Sequence, residues 1–442
     1  MGEQQAAARP DSRKEIVSWA FYDWANSAFA TTVMAGFFPI FFKTFCCNGG
    51  DAVTSTARLG VANSLSGIIV ALSAPLLGAI ADRGGMKKKF LAFFIFMGAL
   101  MTSALYLLSA GEWLFAVIVY MAAVIGFSGG NIFYDSLLPF VASERKRDFV
   151  SALGFAFGYL GGGILFALNV LMTLYPEFFG LAGRAEAVKL SFVTVGLWWI
   201  IFSIPVLVVV KEPGRNGEGR LGDAVLSGLL QLRNTFREIR HLRVILIFLG
   251  AYWFYMDGVD TIIRMAVDYG LSIGFDAGEL VMALLITQFV GFPSAILFGY
   301  LGGRIGTKRA IFIALAVYLF VTLWGACIRD THEFYILAVV VGLVQGGVQA
   351  LSRSLYSRII PIDKSAEYFG FFNMVGKFSV VFGPLLIGAA GLMAREAGFS
   401  AQAASRIGIS SVSLLFVAGG ILFFFVDEER GRSEARYLAG GR

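Results

Sequence analysis

Long apolar runs separated by polar breaks recur along the whole chain. They predict helices over 16–44, 59–82, 90–110, 113–140, 149–175 and 188–210, then a polar stretch. A second set follows over 244–271, 278–302, 310–328, 333–360, 366–394 and 405–426. At about 1.5 Å rise per residue, helices of this length cross a hydrocarbon core of roughly 30 Å. The expected fold class is an all-α polytopic membrane protein of twelve transmembrane helices in two six-helix pseudo-repeats. Its expected divisions are an N-terminal half over 1–210, a cytoplasmic linker over 211–243 and a C-terminal half over 244–442. The linker carries Val225, Leu226, Leu229, Leu230, Leu232, Phe236 and Ile239 at amphipathic spacing, which predicts a segment lying along the cytoplasmic leaflet.

The polar exceptions inside these runs matter most. Between Glu15 and Thr44 the chain is almost wholly apolar, yet it holds Asp23 and Asn26. A carboxylate at membrane depth costs roughly 2.5–3.5 kcal/mol on insertion scales, so it marks a functional hypothesis. Trp19, Tyr22, Asp23, Asn26 and Ala30 share one helix face, and Val17, Phe21, Ala28 and Val33 form the apolar face opposite. The polar face either lines a protein-walled watery cavity or is satisfied by a neighbouring helix. Asp257, Asp260 and Arg264 fall on one face of the seventh helix, where Asp260 and Arg264 can pair along the helix and Trp253 lies one turn before Asp257. Asn131, Tyr134 and Asp135 lie in the fourth helix, and Gln349 and Arg353 in the tenth; Asp135 and Arg353 are candidates for an ion pair across the halves. Lys377 is stranded in the eleventh helix, where pairing with an acid is the favoured reading over binding a carboxylate or snorkelling. Four intramembrane acids against three bases suit a zwitterion better than a strong anion or cation.

Composition narrows the class. The 442 residues are 57% hydrophobic and 15% charged, with 53 glycines against 10 prolines. Mean hydropathy is +0.74, beyond what a soluble domain uses. Glycines suit close helix packing in lipid, and the runs Gly154, Gly158, Gly161–Gly163 and Gly370, Gly376, Gly383 read as packing and hinge surfaces. The polar N-terminus lacks the apolar core of a cleaved signal peptide. Cys46, Cys47 and Cys327 have no metal-ligand spacing, and an odd count with a vicinal pair argues against a disulfide framework. No hydrolase triad, zinc cluster or nucleotide loop emerges, so an enzyme, a metal site and a cofactor are not expected.

Most of the 36 lysines and arginines fall in the N-terminus, the loops 83–89, 145–147, 211–243, 304–309 and 358–364, and the C-terminal tail. The opposite loops hold only Lys43, Arg58, Arg184, Lys189, Arg329, Arg395 and Arg406. The asymmetry predicts both termini in the cytoplasm, with Cys46 and Cys47 outside. It accounts for the net charge of +6 without a nucleic-acid partner. The halves also repeat: Trp19, Asp23 and Asn26 map onto Trp253, Asp257 and Asp260. Gly78, Arg83, Gly85 and Lys87 map onto Gly299, Arg304, Gly306 and Lys308, and Ser136-Leu137 maps onto Ser354-Leu355. Two parallel six-helix halves around a midplane site is a transporter architecture.

The loop sequences GAIADRGGMKKK from Gly78 and GYLGGRIGTKRA from Gly299 occur at equivalent places of the two halves. Both resemble the G-x-x-x-D-R-x-G-x-[KR]-[KR] loop signature of the major facilitator superfamily, where the loop acts as a conformational latch. The resemblance implies latch roles for Gly78, Asp82, Arg83, Lys87, Gly299, Gly303, Arg304, Gly306 and Lys308. The second copy departs from the signature, with Gly303 where Asp82 stands, so its latch should be weaker or made by other groups. SWAFYDWANSAFATTV in the first helix, FYDSLLP at Phe133–Pro139 and RSLYSRIIP at Arg353–Pro361 resemble the autophagy-related-protein-22-like branch, also called the unknown major facilitator family.

That resemblance implies a secondary transporter of the bacterial-type inner membrane. Its eukaryotic members are associated with amino-acid efflux from the vacuole. The expected partners are a small polar or zwitterionic solute, an amino acid first, with membrane lipids and protons; the expected state is a monomer. A lipid or drug exporter, and a non-transporting receptor or scaffold on the same fold, are the alternatives. Asp23 and Asp257, equivalent in the repeat, are expected on opposite walls of one cavity, as a proton-coupling site or as the anion that holds a substrate ammonium.

Overall fold

The computed structural model describes residues 10–47, 52–212, 229–232, 235, 242–272, 276–378 and 382–440. Every regular element among them is helical. Twelve are long and apolar enough to cross a membrane: α1 (Arg13–Cys46), α2 (Arg58–Gly84), α3 (Lys87–Leu107), α4 (Trp113–Val141), α5 (Arg147–Leu174) and α6 (Arg184–Val209) precede the linker. After it come α7 (Arg243–Ile263), α8 (Gly278–Ile305), α9 (Thr307–Gly325), α10 (Thr331–Ile359), α11 (Ile362–Glu396) and α12 (Gln402–Phe424). A charged thirteenth helix, α13 (Glu428–Gly440), follows. The expected helices are all present, with ends moved by a few residues. Helix α7 continues as far as Ser272. Most of the amphipathic linker lies outside the described residues; within it Leu229 and Leu230 are exposed and Gln231 is buried.

The chain forms two compact units. The first comprises Met1–Ser143, Phe157–Leu232 and Lys364–Met374; the second comprises Glu144–Ala156, Arg233–Asp363 and Val375–Arg442. The start of α5 packs with the second unit and the start of α11 with the first.

Helix α1 is not uniformly α-helical. From Phe29 to Phe37 it adopts the wider π-helical winding, with Phe38 donating its N–H to the Val33 carbonyl. Its predicted apolar face is partly core: Ala28 and Val33 are fully buried, and Phe21 packs edge-on to Phe157. Large aromatic side chains fill the interior of the first unit, with Phe38 stacked on Tyr120 at 4.0 Å and Trp199 completely buried beside Phe29. Leu72 and Val208, by contrast, are each 74% exposed, as residues facing lipid tails can be without penalty.

Glycines set the closest helix approaches, as their abundance suggested. In α5, Gly158 and Gly162 abut Ser27, and Gly161 abuts Trp24, all on α1. A Cβ on Gly126 of α4 would lie 2.4 Å from the Gly98 Cα of α3. Neither backbone can yield without separating the helices. Gly126→Val should therefore lower stability by about 1–3 kcal/mol or more through overpacking. Gly303→Ala, where a Cβ meets nothing within 4 Å, is the control and should be neutral or better. Thermal unfolding of the purified proteins checks both; equal midpoints for Gly126→Val and the parent would refute the packing argument.

Candidate functional site

In the first unit the polar face of α1 meets α4. Tyr134 donates its hydroxyl to Asp23 Oδ2 at 2.8 Å. Trp19 donates its ring N–H to the Tyr134 carbonyl at 3.0 Å, and the two rings stack with centroids 4.3 Å apart. One turn along, the Asn26 amide donates to Asn131 Oδ1 at 2.6 Å. Tyr22 lies against Tyr134 at 4.6 Å, with its hydroxyl where a Cβ on residue 130 would fall, so position 130 needs glycine. Trp19, Tyr22, Asp23, Asn26, Tyr134 and Asp135 are all buried, while Asn131 is half-buried. The sequence pattern thus collected residues that the fold brings together. A carboxylate held by a phenol and flanked by amides and aromatic faces can bind an ammonium group or exchange a proton.

The equivalent acid of the second unit is held differently. Asp257 accepts the backbone N–H groups of Phe382 and Gly383, each at 2.9 Å, and the Thr261 hydroxyl at 3.2 Å. Both N–H groups lie in the described part of α11 that starts at Phe382, so this carboxylate ties α7 to α11. Gly383 permits the approach: a Cβ there would sit 1.8 Å from Thr261 Oγ1. Trp253 packs edge-on to Phe382 at 5.2 Å. Asp257 is 1% exposed, against 8% for Asp23. Asp260 and Gln349 are half-buried, and the Arg264 side chain lies outside the described residues. Lys377 is half-buried in α11. Arg353, expected opposite Asp135, donates from Nε and Nη2 to the hydroxyl and carbonyl of Ser151 at 2.9 and 2.8 Å and lies over the Phe155 ring.

The first signature loop grips the start of α11. A Cβ on Gly78 would lie 2.3 Å from the Ala366 carbonyl oxygen, so glycine lets the two backbones touch. Asp82 accepts the N–H groups of Ala366 at 3.1 Å and Glu367 at 2.8 Å, and pairs with Lys87 at 2.8 Å with its side chain fully buried. Lys87 also lies over Phe140, while the Arg83 side chain is partly exposed. Two linker residues that the sequence pattern did not single out complete the arrangement. Glu212 accepts from the backbone N–H groups of Lys87 and Lys88, capping α3, and Gln231 donates to the Glu367 carboxylate at 2.6 Å. In the second loop, Gly299 abuts Ala152 and Phe149, Arg304 is exposed, and Gly306 turns the chain at φ +93°. Lys308, the counterpart of Lys87, donates to the carbonyls of Phe424 and Val426 at the end of α12.

The sequence model of the family described as "Vacuole effluxer Atg22 like" matches residues 11–58 and 49–436. An uncharacterized MFS-type transporter of Bacillus subtilis, YxiO, is 37% identical over 425 residues, covering 94% of this chain and 95% of the relative. The chain belongs to the Atg22-like family. Autophagy-related protein 22 of Kluyveromyces lactis is 22% identical, with 99% of this chain and 98% of that protein aligned. Two solved structures share the fold of this Atg22-like chain at 14% identity. The human organic anion transporter MFSD10 has a TM-score of 0.67, covering 94% of this chain and 100% of that one. The proton:xylose symporter XylE has a TM-score of 0.68, covering 96% and 97%. The Atg22-like chain is thus a major facilitator superfamily transporter and an integral membrane protein.

Proposed function

We propose that this Atg22-like chain moves a small zwitterionic solute, an amino acid first, by alternating access coupled to protons. One observation carries the reading: the buried Asp23–Tyr134–Trp19 cluster, with Asn26 and Asn131 beside it, at the depth of a membrane span. A helix that only packs against lipid and protein has little use for such a group. The family description names vacuole effluxers, and the amino-acid efflux associated with the eukaryotic members that this sequence resembles supports an amino acid. In this reading Asp23 receives the solute ammonium or the coupling proton, and Tyr134 positions its carboxylate. Asp135 supplies a further polar contact in the first unit, and Asp257 holds α11 in place in the second. Asp82 with Lys87 forms the first latch. The protein resides as a monomer in a bacterial-type inner membrane, with both termini cytoplasmic.

Counterflow in proteoliposomes against a panel of labelled amino acids tests the reading. At least one zwitterionic amino acid should accumulate saturably, and more so under an imposed proton gradient. Flux of lipids or cationic dyes with none of any amino acid would establish an exporter of another class. No flux of any kind would indicate a receptor or scaffold.

A further inference from the structure

We propose that the second repeat keeps a complete latch in which the acid has moved across the contact, from the loop to the helix it holds. Asp148, at the start of α5, does for that helix what Asp82 does for α11. The repeat register pairs Ser136-Leu137 with Ser354-Leu355, which places Asp148 opposite Ala366 in the other half. The first contact thus has acid on the loop and alanine on the helix. The second contact has Gly303 on the loop and Asp148 on the helix.

The geometry supports the exchange. Asp148 Oδ2 accepts the Thr307 hydroxyl at 2.8 Å and pairs with Arg358 Nη2 at 2.9 Å. Thr307 opens α9, directly after the second signature loop, and in turn accepts from Arg358 Nη1 at 2.8 Å. Asp148 and Thr307 are buried, and Arg147 beside them donates to the Ser357 carbonyl at 3.0 Å. Gly302 brings the loop against the carboxylate: a Cβ there would lie 3.2 Å from Asp148 Oδ2. A Cβ on Gly303 would meet nothing within 4 Å, so the place of the missing acid is open space. Arg358 also pairs with Glu428 at 3.1 Å, which ties α13 to the same arginine.

An acid that has changed sides makes a sign-reversing test. In the full chain with Cys46, Cys47 and Cys327 changed to serine, spin labels are placed on cysteines replacing the exposed Arg145 and Arg304. Distances are read by pulsed resonance in lipid nanodiscs. The parent should give one narrow population, and Asp148→Ala should lose it. Gly303→Asp alone should broaden the distribution, because it sets a second carboxylate beside Asp148. Gly303→Asp added to Asp148→Ala should restore the narrow population. Should Asp148→Ala fail to fold, Asp148→Asn takes its place in both single and double variants. Parental distances in the Asp148 variant, or the same effect of Gly303→Asp in both backgrounds, would overturn the proposal. The readout needs no transported solute, so it stands apart from the substrate assignment.

Discussion

Asp82→Ala should destabilise the protein by about 3–5 kcal/mol and expose the start of α11 to hydrogen exchange. The carboxylate is fully buried, paired with Lys87 and bonded to two backbone N–H groups. Removing it leaves a buried ammonium without its counter-ion, and the loss of one partner from such a pair has this magnitude. It also leaves the N–H groups of Ala366 and Glu367 without an acceptor, each at about 1–3 kcal/mol. A local opening made easier by about 3 kcal/mol speeds exchange at residues 366 and 367 roughly 100-fold. Adding Lys87→Met should recover part of the stability, because no lone charge remains. It should not slow the exchange, because the cap is still missing. If exchange at these two amides is unchanged in Asp82→Ala, the cap does not hold the helix.

Asp23→Asn and Asp257→Asn should fail in different ways, although the two acids are equivalent in the repeat. Asp257 serves three donors. An amide offers one acceptor oxygen, and its NH₂ group would face a backbone N–H of Phe382 or Gly383. About 1–3 kcal/mol is lost for each donor left unpaired, so Asp257→Asn should reduce stability and transport together. Asp23→Asn retains an oxygen for the Tyr134 hydroxyl and should stay folded. If Asp23 carries the coupling proton, this variant loses gradient-driven accumulation and keeps exchange. If Asp23 holds the substrate ammonium, binding itself disappears. Transport like the parent at every pH in both variants would reduce both acids to structural roles.

The expected course of the chain was legible because twelve spans each declare themselves over some twenty residues. Their polar exceptions stand out against an apolar background, so Asp23 and Asn26 in the first helix and Asn131 and Tyr134 in the fourth were each singled out from the sequence. Their pairing was not, since Tyr134 and Asp23 lie 111 positions apart and spacing within a helix says nothing of its neighbour. Asp257 shows the limit more clearly. Its partners include two backbone N–H groups, at residues 382 and 383, and backbone groups carry no residue type to read. Asp148 was missed because it closes the run Glu-Arg-Lys-Arg-Asp, where loop charge reports topology and hides a buried contact. The one available signal was the glycine at 303: an acid absent from one side of a repeated contact directs attention to the other side. Glu212 was similarly hidden in a linker read for its amphipathic pattern.

The wide winding of α1 between Phe29 and Phe37 bears on how such sequences are compared. A π-helical stretch spaces its hydrogen bonds five residues apart, so it accommodates a residue more than an α-helix without breaking the helix. Helix α7, its counterpart, stays α-helical through Ser272. An alignment of the two halves that admits gaps only in loops therefore matches Trp19, Asp23 and Asn26 correctly and then drifts out of phase beyond Phe29. Homology scores across that stretch will understate the kinship of the repeats unless an insertion is permitted inside the helix itself.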